Sequence, residues 1–148
     1  MMLNKFQGRE ITKPMHAIKK FFSLAIFMCF FPHPLLASDG AISPREANEK
    51  YVRGEVIIVD VREASEIRET GMAKPAEWLA TSEINARGPA YKDALSRWPK
   101  SKPLVVYCRS GNRSAKALRA FQELGYTGFN MGAFQGWSDA GLPTKSAP

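Results

Sequence analysis

The chain has 148 residues, enough for one domain and too few for two well-cored ones. Its formal net charge is +7 and it carries two cysteines and two histidines. That inventory excludes a disulfide-stapled scaffold, and most of the positive charge proves to lie in the first segment.

Lys19 and Lys20 precede an apolar run from Phe21 to Phe31, followed by Pro32, Pro34 and Leu35-Leu36-Ala37. This is the basic, apolar and small-residue order of a secretory signal peptide, so residues 1–37 are expected to be removed after Ala37. The run is short for a membrane span and Pro32-His33-Pro34 interrupts it, so no stable membrane association is expected after cleavage. An uncleaved N-terminal anchor is the alternative, and Met15 offers a second possible start. Cleavage implies a periplasmic or secreted protein. It leaves 16 basic and 13 acidic residues, a net of +3, with no basic run interleaved with aromatics, so nucleic-acid binding has little support.

Cys29, His16 and His33 all fall in the removed segment. The remaining chain has one cysteine, Cys108, and no histidine. A Cys–His hydrolase and a zinc site of Cys/His type are thereby excluded, and no cofactor is called for.

Residues 38–42 read as a linker and 43–143 as the domain. Ser43 caps a helix opened by Pro44, with Glu46 completing a capping box, and the helix runs to Val52. Val56 to Val59 is a β-branched run for a strand buried on both faces. Asp60 and Arg62 follow it, most simply as a structural ion pair at the strand end. Arg62 to Glu69 is a short charged helix, Gly71 to Pro75 a loop and Glu77 to Ala80 a short strand. Tyr91, Leu95 and Trp98 recur at helical spacing. Leu104 to Tyr107 is a second buried strand. Ala117, Leu118, Phe121 and Leu124 form the buried stripe of a helix that Ser114 is expected to cap and Gly125 to stop. Gly128 to Met131 is a last strand, Phe134 to Ala140 a last helix, and residues 144–148 a tail. Strands alternate with helices, which argues for an α/β fold with a mainly parallel sheet.

Cys108 opens the loop Cys108-Arg109-Ser110-Gly111-Asn112-Arg113-Ser114 at the carboxyl end of its strand, where ligands sit in such sheets. Gly111 and Asn112 favour positive φ, so the loop can wrap inward and point several N–H groups at its mouth. Those groups, the following helix N-terminus, Arg109 and Arg113 all favour a thiolate. The competing interpretation is a buried, inert cysteine at a strand end. The loop is expected to stand open to solvent.

Tyr107 to Ser114 resembles the active-site loop of the rhodanese family of sulfurtransferases. Val59-Asp60-Val61-Arg62, Leu124-Gly125-Tyr126, and Gly132, Trp137 and Gly141-Leu142-Pro143 resemble flanking motifs of that family. The sequence departs from the pattern at Gly71 to Ala76, set one residue late, and at Ala133, where a second glycine is usual. The resemblance implies a rhodanese-like sheet with helices on both faces. It implies sulfur transfer through a persulfide on Cys108, from a small anionic donor such as thiosulfate to a thiol or to cyanide. The loop from Arg109 to Ser114 would bind the donor, with both guanidinium groups on its sulfonate. Two other readings use the same thiol, a non-enzymatic persulfide carrier or docking module and a cysteine phosphatase. The phosphatase signature wants an arginine six positions after the cysteine, whereas Arg113 is the fifth.

Overall fold

A computed structural model describes residues 40–148. The expected signal peptide and the first two linker residues lie outside them. The elements are α1 (Pro44–Val52), β1 (Ile57–Asp60), α2 (Ala64–Thr70), β2 (Met72–Ala73), β3 (Glu77–Trp78), α3 (Thr81–Ala86), α4 (Pro89–Arg97), β4 (Leu104–Cys108), α5 (Asn112–Glu123), β5 (Gly128–Ala133), α6 (Phe134–Asp139) and β6 (Thr144–Lys145).

The main sheet has the order β3-β1-β4-β5, and every pairing in it is parallel. β4 is the strand with β1 on one side and β5 on the other, and all five of its residues are buried. Its side chains alternate between two cores, as strand geometry requires. Leu104, Val106 and Cys108 pack with Tyr91, Trp98 and Phe121 from α4 and α5. Val105 and Tyr107 pack with Ile67, Phe134 and Trp137 from α2 and α6. The result is a sheet with helices on both faces, as the alternating pattern predicts.

Ser43 caps α1 through its hydroxyl, which accepts from the Glu46 N–H at 3.2 Å. Gly125 stops α5 with φ 87°. Three segments differ from the sequence reading. The loop from Gly71 contains β2, which pairs antiparallel with β6, so Thr144 and Lys145 form a strand rather than a tail. The pairing is only two residues long, too short for a periodic signal. Gly71 permits it, because a Cβ there would stand 2.8 Å from the Lys145 carbonyl oxygen. The linker is not free either. Ala41 bridges Asn130 in parallel, beyond the outer side of β5. The helix α3 lies in a stretch with no strong periodicity.

Candidate active site

The loop between β4 and α5 brings Cys108 to the helix N-terminus. Gly111 precedes the first helical residue with φ 93° and supplies no side-chain cap. A Cβ at Gly111 would lie 3.3 Å from Gly132 Cα, so glycine serves both the turn and the close approach of β5. The first N–H groups of a helix need outside acceptors. Here the sulfur takes that role, with the Gly111 N–H 3.1 Å from Cys108 Sγ. Ser114 therefore does not cap α5. It is the third helical residue, fully buried, and its hydroxyl lies 3.5 Å from Sγ.

Cys108 is fully buried, so the loop is closed over the thiol rather than open. Burial is the largest single influence and pushes the thiol pKa up. The Ser114 hydroxyl and the N–H groups of Ser114, Ser110 and Gly111 pull the other way. The donors win together, and the thiol lies below its ordinary range. A buried cysteine without such donors would shift upward and be inert.

Arg113 is paired with a carboxylate. Its guanidinium makes two hydrogen bonds of 2.7 Å to the carboxylate of Glu66 on α2. This pair holds the Glu66 carboxyl down to about 2, with its further bond from the Glu63 N–H assisting against burial. Arg109 and Ser110 are exposed, as is Asn112. Arg109 has no ion-pair partner among the described residues. It borders a cleft of about 210 Å³ with Arg62, Glu66, Glu69, Thr70, Phe134 and Gln135.

Asp60 and Arg62 form a buried ion pair at the end of β1, 2.7 Å between Arg62 Nη2 and Asp60 Oδ2. Arg62 also donates to Thr70 Oγ1 and to the Gly71 carbonyl, and stacks 4.1 Å over the Phe134 ring. Burial works against its charge, and the Asp60 bonds more than restore it. The pair thus ties β1 to the end of α2. Tyr107 OH accepts from the Ala73 N–H, and burial with the Asp60 charge keeps the phenol protonated.

Sequence reasoning missed Glu66 and Asn130. Glu66 is 47 residues from its arginine partner, and Asn130 reads as an ordinary strand residue. The Asn130 amide donates to the Gly111 carbonyl at 3.0 Å, and its oxygen lies 2.8 Å from the Ser114 hydroxyl.

Comparison with known proteins shows the family to which this sheet belongs. Residues 43–140 match the Rhodanese-like domain. This chain belongs to the rhodanese-like domain family. Among curated relatives, an uncharacterized protein of Synechocystis is 33% identical over 115 residues, covering 72% of this chain and 58% of that one. A sulfurtransferase of Allochromatium vinosum is 35% identical over 91 residues, covering 60% of this chain and 78% of that one. Of solved structures, a rhodanese-like domain protein from Staphylococcus aureus aligns with TM-score 0.56 and 28% identity, covering 72% of this chain and 99% of that one. A protein of unknown function from Rhodopseudomonas palustris, described as a possible tyrosine phosphatase, aligns with TM-score 0.60 and 27% identity, covering 73% and 86%. This rhodanese-like chain therefore has relatives that are named sulfurtransferases, and its fold is that of solved rhodanese-like proteins. It spans just over half the length of the Synechocystis relative.

Proposed function

We propose that this rhodanese-like protein transfers sulfane sulfur through a persulfide on Cys108. The observation that carries the proposal is the set of donors converging on a buried sulfur, led by the Gly111 N–H at 3.1 Å. Such a shell stabilises an anion on Sγ and on a sulfur attached to it.

With thiosulfate as donor, the Cys108 thiolate attacks the outer sulfur. The S–S bond of thiosulfate breaks, and sulfite leaves with the electron pair. A Cys108 persulfide anion remains, and no proton need be moved. An acceptor thiolate, or cyanide, then attacks the outer sulfur. It leaves as an alkyl persulfide or thiocyanate, and the Cys108 thiolate returns. A general base is not required when the thiol is already ionised, which fits a domain without histidine.

Arg109 is the guanidinium that supports donor binding, because Arg113 is held by Glu66. Loop spacing counts against phosphate-ester hydrolysis, because the position six residues after Cys108, where that signature wants an arginine, is Ser114. Export through residues 1–37 is part of the proposal and rests on the sequence pattern alone. N-terminal sequencing of the exported protein should begin at or near Ser38; retention of Phe21 to Phe31 in a membrane fraction contradicts export with cleavage. Steady-state turnover with thiosulfate and cyanide tests the enzyme reading against a carrier. A persulfide that forms once and is not turned over favours the carrier.

A further inference from the structure

The sulfur's own loop supplies the donors around it, and Gly111, as a glycine, has the widest intrinsic backbone freedom of the residues in that loop. Gly111 has no Cβ and sits at φ 93°, where glycine moves freely. Something outside the loop must fix its orientation. Its N–H is on Cys108 Sγ at 3.1 Å, and its carbonyl accepts from Asn130 Nδ2 at 3.0 Å.

The Asn130 amide is oriented without ambiguity. Its Oδ1 accepts from the Gly132 N–H at 3.0 Å, and its Nδ2 faces the Gly111 carbonyl. Main-chain groups at both ends settle which atom is oxygen. Ser114 Oγ lies 2.8 Å from Oδ1, 2.9 Å from the Gly111 oxygen and 3.5 Å from Sγ. The hydroxyl has one proton for three acceptors, so the two nearer oxygens compete with the sulfur for it, and the Gly111 N–H is the donor committed to Sγ.

Asn130 is itself held on both sides. It pairs with Val106 of β4, while its N–H donates to the Gly40 carbonyl and its carbonyl accepts from the Ile42 N–H. The register then shifts, so that Tyr107 pairs with Gly132 and Met131 is extra. A bulge of this kind re-aims side chains beside a site.

We infer that Asn130 is a positioning residue for the sulfur chemistry, its amide N–H holding Gly111 in the orientation from which the Gly111 N–H donates to a charged Cys108 sulfur. This rests on Cys108 being the nucleophile proposed above. Asn130 does not touch the sulfur. A merely structural tie between β5 and the loop would affect folding stability and leave the ionisation of the thiol unchanged.

The test uses Asn130→Ala and Asn130→Asp in the full chain without its expected signal peptide. Thiolate absorbance against pH gives the ionisation midpoint, with Cys108→Ser as the blank. The charged groups beside the thiol are Arg109, Arg113 and Glu66, and neither variant alters them. Asn130→Ala should move the midpoint up. Asn130→Asp keeps the acceptor for the Gly132 N–H, loses the donor to Gly111 and adds like charge, so it should move it further. Single-turnover loading from thiosulfate should fall about tenfold at neutral pH and recover as the pH rises. An unchanged midpoint in both folded variants overturns the inference, and so does failure of both to fold. Wild-type protein that takes no sulfur while the midpoint still shifts overturns the persulfide proposal and leaves this role of Asn130 standing.

Discussion

The Glu66 carboxylate grips the Arg113 guanidinium by two bonds of 2.7 Å, joining α2 to the first turn of the helix that carries the sulfur loop. Glu66 also accepts from the Glu63 N–H, so it caps its own helix and anchors another. Glu63 in turn accepts from Ser82 at the start of α3. One chain of carboxylates thus fixes three helix starts.

The Glu66 pair makes stability depend on acid. The folded carboxyl lies at about 2, against 4.5 when unperturbed, so its contribution is full above about 4.5 and is lost as the pH falls toward 2. Glu66→Gln should cost on the order of 1 kcal/mol at neutral pH, a modest figure because the pair is partly solvated. The gap between variant and wild type should close between those two pH values. Urea melts at several pH values check this, and a gap independent of pH contradicts it.

Arg109 and Arg113 should separate in kinetics. Arg109→Ala should raise the KM for thiosulfate about fivefold to tenfold with kcat little changed, as expected for loss of uniform binding. Arg113→Ala should lower stability and affect kcat through the loop. Steady-state assays of both variants, with melts alongside, distinguish the two. A KM effect confined to Arg113→Ala means that the pair with Glu66 opens when donor binds.

Asp60→Asn should destabilise strongly. It leaves the Arg62 guanidinium, which is only 3% exposed, without its counter-charge. Breaking a buried pair on one side costs about 3–5 kcal/mol. Denaturant midpoints measure the loss, and a change under about 1 kcal/mol shows that Thr70 Oγ1, the Gly71 carbonyl and the Phe134 ring suffice for Arg62.

The parts of this site that are local in sequence were legible in it. The β-branched run ending in Cys108, the glycine that turns the loop and the apolar stripe of α5 are each contiguous, and each has one physical cause. Ser114 was misjudged as a cap because serine caps well in general. Here the sulfur already occupies the cap position, and the hydroxyl turns to Asn130 and the Gly111 carbonyl. Burial of the thiol was illegible because Gly132, on another strand, helps to close the loop. Glu66 and Asn130 sit on other elements, and only the topology brings them to the site. The β2–β6 pairing is two residues long and leaves no pattern at all.

The central claim is that Cys108 carries the transferred sulfur. It is most directly tested by intact mass spectrometry of the protein after incubation with thiosulfate, beside Cys108→Ser treated the same way. One added sulfur atom is expected on the wild type, removed by cyanide with release of thiocyanate, and none on Cys108→Ser. No added sulfur on the wild type from thiosulfate or from an alkyl persulfide, or equal addition to Cys108→Ser, would contradict it.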